Sequence, residues 1–194
     1  LKREKCEFLK DAVIYLGMRI DRNGISPVED KIAAVRDAPS PRSVSELRAF
    51  LGMINYYRKH LENLSAQLEP LHKLLRKGVS WFWGREQEEA FQAAKCMLTS
   101  DKLLVHYDPG KPLLLACDAS GFGVGAVLSH LFEDGTERPI AYASKTLNSA
   151  ERNYSSLERE GLSIIFGVRK FHQYCYGRDF TILSDHQPLE GLLG

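Results

Sequence analysis

Three carboxylates constrain this chain more than any other feature. Asp118 closes the apolar run LLLACDAS, Glu160 sits early in the amphipathic stretch SLEREGLSIIFGVRKF, and Asp185 closes the apolar run FTILSDHQ. Apolar runs that end on Asp, with a helical Glu between them, can gather negative charge in one place. Carboxylates are seldom buried unless they are paired or bind a metal. A divalent cation would neutralise such a cluster, and two cations held by hard oxygen ligands can drive phosphodiester hydrolysis. Taken singly, each residue reads as a turn cap or a solvated helical glutamate; the set, in this order, reads as a metal-binding group.

The surrounding pattern supplies the elements. After the turn-rich joint Tyr107-Asp108-Pro109-Gly110-Lys111-Pro112 come strands at 113–118, 124–131 and 139–144, a helix at about 149–175, and a strand at 180–185. Short turns make the first three strands an antiparallel meander, and the helix lets the last strand return parallel to the first. Upstream, residues 5–21 read as two short strands joined near Lys10-Asp11, followed by the turn RNGIS. Ser26-Pro27-Val28-Glu29 has capping-box spacing and predicts a helix through Asp37. Ser43 with Glu46 repeats that spacing and opens a longer helix with the apolar face Leu47, Phe50, Leu51, Ile54, Tyr57 and Leu61. Further helices are expected at 65–77 and 85–100, separated by Gly78 and the cluster Trp81-Phe82-Trp83. A domain boundary is expected near 105–112, in an α+β chain whose helical segment precedes a mixed sheet.

Composition narrows the function. The net charge of +1 conceals nine basic against four acidic side chains within residues 31–80, which favours a polyanion near that segment. Arg48, Arg58, Lys59, Lys73, Arg76 and Lys77 fall on successive helices there; gathered on one face they would grip phosphates, and spread around they form a solvated surface. No apolar stretch is long enough for a membrane span, and LKREKCEF carries no secretory signal. Cys6, Cys96, Cys117 and Cys175 have no CxxC or zinc spacing, and read as reduced buried thiols of an intracellular protein. Gly121, Gly123 and Gly125 in ASGFGVGAVL lead into a strand rather than a helix N-terminus. That excludes a nucleotide loop and indicates a tight hairpin, where small residues would let a nucleic-acid backbone approach. Glu158 and Glu160 point about 200° apart on their helix, so only one can join Asp118 and Asp185. His186 reads as a turn residue, and Tyr142 and Tyr154 as core aromatics.

The runs SELRAFLGMINYYRKHLENLSAQLEPLHKLLRKG, WFWGREQEEAFQAAKCMLTS, LACDASGFGVGAVLSH and RPIAYASKTLNSAERNYSSLEREGLSIIFGVRKFHQYCYGRDFTILSDHQPL resemble the Pol polyprotein of gypsy-type LTR retrotransposons, over essentially the whole chain. The resemblance implies three parts: the end of a reverse transcriptase palm at 1–25, thumb and connecting helices at 26–105, and a ribonuclease H-like domain at 106–194. It identifies Asp118, Glu160 (rather than Glu158) and Asp185 with the family's catalytic, metal-holding carboxylates. It likens the helix around Phe50-Leu51-Gly52, with Tyr56, Tyr57 and Arg58, to the element that rides on the primer–template duplex.

The implied activity is hydrolysis of the RNA strand of RNA–DNA hybrids, with two Mg²⁺ or Mn²⁺ ions as cofactors. The implied partners are the hybrid or primer–template duplex and the rest of the Pol polyprotein, with no membrane. The expected location is intracellular, cytoplasmic and within retroelement particles. The polymerase aspartates of the family should precede residue 1, and its fifth strand and fourth carboxylate should lie beyond Gly194. The sequence therefore predicts a C-terminally truncated nuclease site and no polymerase activity. The alternative is an inactive nucleic-acid-binding or domesticated remnant.

Overall fold

A computed structural model describes residues 8–99 and 103–184. Its first half opens with an antiparallel meander of β1 (Ala12–Tyr15), β2 (Met18–Asp21) and β3 (Gly24–Pro27). The β1–β2 turn falls at Leu16-Gly17, not near Lys10-Asp11. Both turn residues have positive φ, 49° and 73°, as a two-residue hairpin of the right twist requires. The Tyr56 hydroxyl donates to the Leu16 carbonyl and pins this turn to the helices.

Gly24 has φ +150°, and a Cβ there would collide with the Leu104 carbonyl oxygen. That close approach is needed because Ile25 and Leu104 exchange backbone hydrogen bonds of 2.8 and 3.0 Å. The expected turn RNGIS is therefore partly strand. Ser26 pairs with Arg19 in the sheet, so it does not cap a helix. Helix α1 spans Glu29–Arg36 with Val28 as an N-cap that makes no side-chain hydrogen bond. The capping-box reading of Ser26–Glu29 was a local signature overruled by non-local pairing.

Helix α2 (Val44–Tyr56) begins as the spacing predicts, with the Ser43 side chain accepting from the Glu46 N–H. The Glu46 carboxylate accepts from the Arg42 N–H at 2.8 Å rather than from Ser43. Its predicted apolar face is buried throughout, including Tyr57 and Leu61 beyond the helix end. The expected helix at 65–77 is instead two short pieces, α3 (Leu64–Gln67) and α4 (Glu69–Lys73), which meet at Leu68 beside Pro70. Proline lacks an N–H and belongs in a first turn, so the chain restarts its helix there. Helix α5 (Arg85–Thr99) closes the first core around Phe91, Leu47, Ile54 and Leu71.

The second half holds β4 (Leu113–Ala119), β5 (Gly123–Leu131), β6 (Glu137–Thr146), helices α6 (Ser156–Lys170) and α7 (His172–Cys175), and β7 (Thr181–Leu183). The sheet order is β6-β5-β4-β7; β4 is antiparallel to β5 and parallel to β7. This is the predicted meander with a crossover helix. The expected helix at 149–175 is interrupted, because Ser155 N-caps α6 with a capping box to Glu158. A second core lies between sheet and α6, around Leu115, Leu128, Ala126 and Ile164. Cys117 and Cys175 are buried in it, whereas Cys96 is exposed on α5 and departs from the buried-thiol expectation. Among the described residues no helix is long and apolar enough to cross a membrane.

Candidate active site and nucleic-acid interface

Strand alternation sends successive residues of β4 to opposite faces. Cys117 stands in a row with Ala126 and Ala143, beneath α6, where a Cβ on Gly167 would lie 2.9 Å from the Cys117 sulfur. Asp118 stands in the next row, with Gly125 and Ser144, on the other face. That face is met by α3. Ser65 donates its N–H to the Ser144 hydroxyl at 3.0 Å, and a Cβ on Gly125 would collide with Asn63 Oδ1. The glycine run is thus a hairpin, as its strand context predicts. The space at Gly125, however, is taken by Asn63 rather than left open to a nucleic-acid backbone. The Asp118 side chain is exposed at the rim of a small pocket of about 160 Å³ lined by Asn63, Gln67, Ser120 and Ser144.

Glu160 and Glu158 have different surroundings. Glu158 is exposed at the third position of α6, accepting from the Ser155 N–H at 2.8 Å and hydroxyl at 2.9 Å. The Ser155 backbone N–H, then its hydroxyl, hold the Glu158 carboxyl below its usual range. Its employment is the helix cap, and the spacing Ser155-x-x-Glu158 announces this in the sequence. Glu160 belongs to the buried stripe of α6 with Ser163, Ile164 and Gly167. Burial, then the Glu160 charge and Cys175, push the Cys117 thiol up to about 12.

Two of the three predicted carboxylates, Asp118 and Glu160, come from elements that share one end of the sheet. A Cβ on Gly121, just past β4, would meet Arg159 Nη1 of α6 at 3.6 Å, so α6 begins where β4 finishes. The parallel β7 finishes at the same end. Ligands of open α/β sheets bind outside the carboxyl ends of the strands. Asp185 and His186 lie outside the described residues. Asp118 and Glu160 are the hard oxygen donors that Mg²⁺ favours, but they belong to opposite faces. Among the described residues no group of three His, Cys, Asp or Glu side chains forms a metal site. The donors fit such a metal in kind, not in number.

Of the six basic candidates, Arg48, Arg58, Lys59 and Lys77 are exposed on α2 and the turns after α2 and α4. Lys73 and Arg76 have partners. Glu69, only 3% exposed, receives Lys73 Nζ at 3.0 Å and Arg76 Nη2 at 3.0 Å. Arg152, in a 3₁₀ turn of the second half, reaches the same carboxylate at 3.4 Å. Glu69, then Glu86, hold the Lys73 ammonium above its usual value. Three cations against the two carboxylates of Glu69 and Glu86 leave positive charge beside a cleft of about 520 Å³ lined by Arg76, Arg152, Thr146, Asn148 and Ser149. The sequence does not announce the Glu69–Arg152 ion pair or the packing of Asn63 on Gly125, because each joins residues from different halves of the chain.

The geometry is that of an α+β protein whose mixed sheet has the RNase H-like arrangement. Residues 83–182 match the RNase H-like domain found in reverse transcriptase, and the chain belongs to that family. It is 39% identical to the retrovirus-related Pol polyprotein from transposon 297 of Drosophila melanogaster, over 99% of this chain and 18% of that protein. It is 37% identical to the Transposon Tf2-3 polyprotein of Schizosaccharomyces pombe, over 98% of this chain and 14% of that protein. The chain thus spans under a fifth of these relatives. The fold is shared with the foamy viral protease-reverse transcriptase in complex with dsDNA, with TM-score 0.80, 24% identity, and coverage of 97% of this chain and 40% of that one. The same viral protein in complex with RNA/DNA hybrid gives TM-score 0.76, 23% identity, and coverage of 96% and 26%.

Proposed function

We propose that this protein is the thumb, connection and ribonuclease H portion of a retroelement Pol polyprotein, and that it hydrolyses the RNA strand of RNA–DNA hybrids. The divisions follow the sequence: palm remainder at 1–25, helices that grip the duplex at 26–105, nuclease at 106–194. The observation that carries the reading is the parallel pairing of β4 with β7 across α6, which turns Asp118 and the start of α6 toward one end of the sheet. Asp185 enters the proposal through its place in the sequence alone. Asp118, Glu160 and Asp185 would hold Mg²⁺ or Mn²⁺, which when bound would supply an activated water and charge stabilisation at the RNA phosphate.

The chain's own residues supply position and charge. Arg76 and Arg152 offer guanidinium groups to phosphates in the cleft, and the exposed Arg48, Arg58, Lys59 and Lys77 extend the basic surface. Such contacts fix register on a duplex without reading sequence. The Ser155–Glu158 capping box fixes where α6 starts, and with it the place of Glu160 two residues on. The working environment proposed is a cytoplasmic retroelement particle, with the rest of the Pol polyprotein as partner.

The test is a labelled RNA–DNA hybrid incubated with Mg²⁺ and either the wild-type chain or Asp118→Asn. The variant is expected to cut at least about a hundredfold more slowly, the scale of losing one electrostatic stabiliser. Equal cleavage by the two proteins would remove Asp118 from the site. A second reading, duplex binding without turnover, is favoured by the Asp118 and Glu160 placements on opposite faces. It predicts no cleavage by either protein, while hybrid affinity still falls steeply with salt as phosphate contacts require.

A further inference from the structure

Each half of the chain closes its own core, and polar bonds join the two. The Ser144 hydroxyl accepts from the Ser65 N–H at 3.0 Å and shares a hydrogen bond of 2.9 Å with the Ser65 hydroxyl. Arg152 reaches Glu69 at 3.4 Å, and His106 Nε2 donates to the Asp21 carbonyl at 2.6 Å. Domains joined by polar contacts move relative to one another by default; a large apolar interface is what prevents it. The backbone contains a pivot. Leu104 exchanges hydrogen bonds with Ile25 of the first half, whereas Val105 packs in the second core and donates to the Pro139 carbonyl at 2.9 Å. Rotation at the link between these two residues lets the halves part as rigid bodies.

Helix α3, entered through Asn63 in a left-handed conformation (φ 47°), lies over the sheet row that holds Asp118, Gly125 and Ser144. Asn63 Oδ1 takes the space that a Cβ on Gly125 would need. Asp118 itself stays exposed at the rim of the 160 Å³ pocket. That volume is below the roughly 300 Å³ of the smallest ligand sites, so it admits water or an ion but no strand of nucleic acid. A phosphate that shares a cation with Asp118 sits about 2 Å from that cation. The flanking nucleotides then meet Asn63 and Gln67, which wall the pocket.

We propose that Asn63 and α3 form a displaceable cover over the nuclease face: the closed form excludes the RNA–DNA hybrid, and bound hybrid holds the halves apart. The cover has a purpose only under the nuclease reading, on which it rests. An open form populated at about 0.1–10% is sufficient, because hybrid draws the equilibrium towards the form it binds. Arg48, Arg58, Lys59 and Lys77 are exposed in the closed form and make the first contact with the duplex.

Ser65→Cys combined with Ser144→Cys tests the cover. The two hydroxyl oxygens lie 2.9 Å apart, and a disulfide of about 2.0 Å can take their place. Each single-cysteine variant, treated identically, accounts for the chain's own thiols. The oxidised double variant should cut a labelled hybrid in Mg²⁺ at least about tenfold more slowly than the same protein after reduction, since it cannot reach the open form. A second readout needs no turnover. Saturating hybrid, its binding followed by fluorescence anisotropy, should slow disulfide formation at least about tenfold, as a shift from a closed to an open population requires. Slowed crosslinking without cleavage by either redox form would sink the nuclease reading and leave the cover standing. Equal cleavage by the oxidised and reduced forms, or a crosslinking rate unchanged by bound hybrid, would overturn the cover alone. A disulfide that never forms would overturn the closed form, and a hybrid that never binds would overturn both readings.

Discussion

Phe91→Ala is expected to lower the unfolding free energy by about 3–5 kcal/mol, the usual loss for truncating a fully buried phenylalanine. Phe91 is 0% exposed on α5, with its ring 4.5 Å from Phe50 and edge-on to Trp83 at 5.8 Å. Its removal leaves a hole between α2, α5 and the aromatic turn that aromatic neighbours cannot refill. Trp81 and Trp83, the chain's two tryptophans, both pack on this first core. Urea unfolding followed by tryptophan fluorescence should therefore shift strongly in Phe91→Ala. Leu115→Ala, deep in the second core, should shift far-UV circular dichroism while leaving the fluorescence midpoint nearly in place. That difference is the expected mark of two domains meeting near residue 105. Equal displacement of both probes by both variants would make the two cores one cooperative unit.

Glu69→Ala is expected to cost about 2–3 kcal/mol, less than the 3–5 that follows when a charge is left buried without its partner. The reason lies in the exposure of the partners. Lys73 and Arg76 are 40% and 52% exposed and can turn to water, while Arg152, at 27%, cannot leave as easily. Glu69→Leu should recover part of the loss by filling the volume with apolar atoms. Both variants should also loosen the junction, since Arg152 carries an ion pair from the second half to α4. Equilibrium urea denaturation of the three proteins checks the sizes and their order. A cost below about 0.5 kcal/mol for Glu69→Ala would show the cluster to be a solvated surface.

Much of this was legible in the sequence, and the failures share a physical cause. The buried face of α2, the strand order of the second half and its parallel return were all set by periodicity and turn chemistry, which act over a few residues. Ser26–Glu29 misled because a capping signature is local, whereas Ser26 is committed to a strand partner at Arg19. The Leu16-Gly17 turn lacked the usual Asn-Gly signal, and Leu16 is held at positive φ with a long-range bond from Tyr56. At the site, one-dimensional spacing proposed which carboxylates matter but not which face of β4 Asp118 would use. The pleat decides that, and it puts Asp118 with Gly125 and Ser144 under α3. Spacing offers Glu69 only its helical neighbours Lys73 and Arg76, whereas Arg152, 83 positions away, reaches it in the fold. The Ser155-x-x-Glu158 spacing was readable from the start and assigns Glu158 to the helix cap.

The central claim is that Glu160, not its neighbour on the cap, belongs to the nuclease site. Hybrid cleavage in saturating Mg²⁺ by Glu160→Gln and Glu158→Gln, side by side with the wild-type chain, tests it most directly. Glu160→Gln should cut at least about a hundredfold more slowly with its melting temperature nearly unchanged, the loss expected when an electrostatic stabiliser is removed. Glu158→Gln should cut at nearly the wild-type rate and lose only the fraction of stability that a weakened helix cap carries, about 0.5–1 kcal/mol. Wild-type cleavage that survives in Glu160→Gln, or fails in Glu158→Gln alone, would contradict the account.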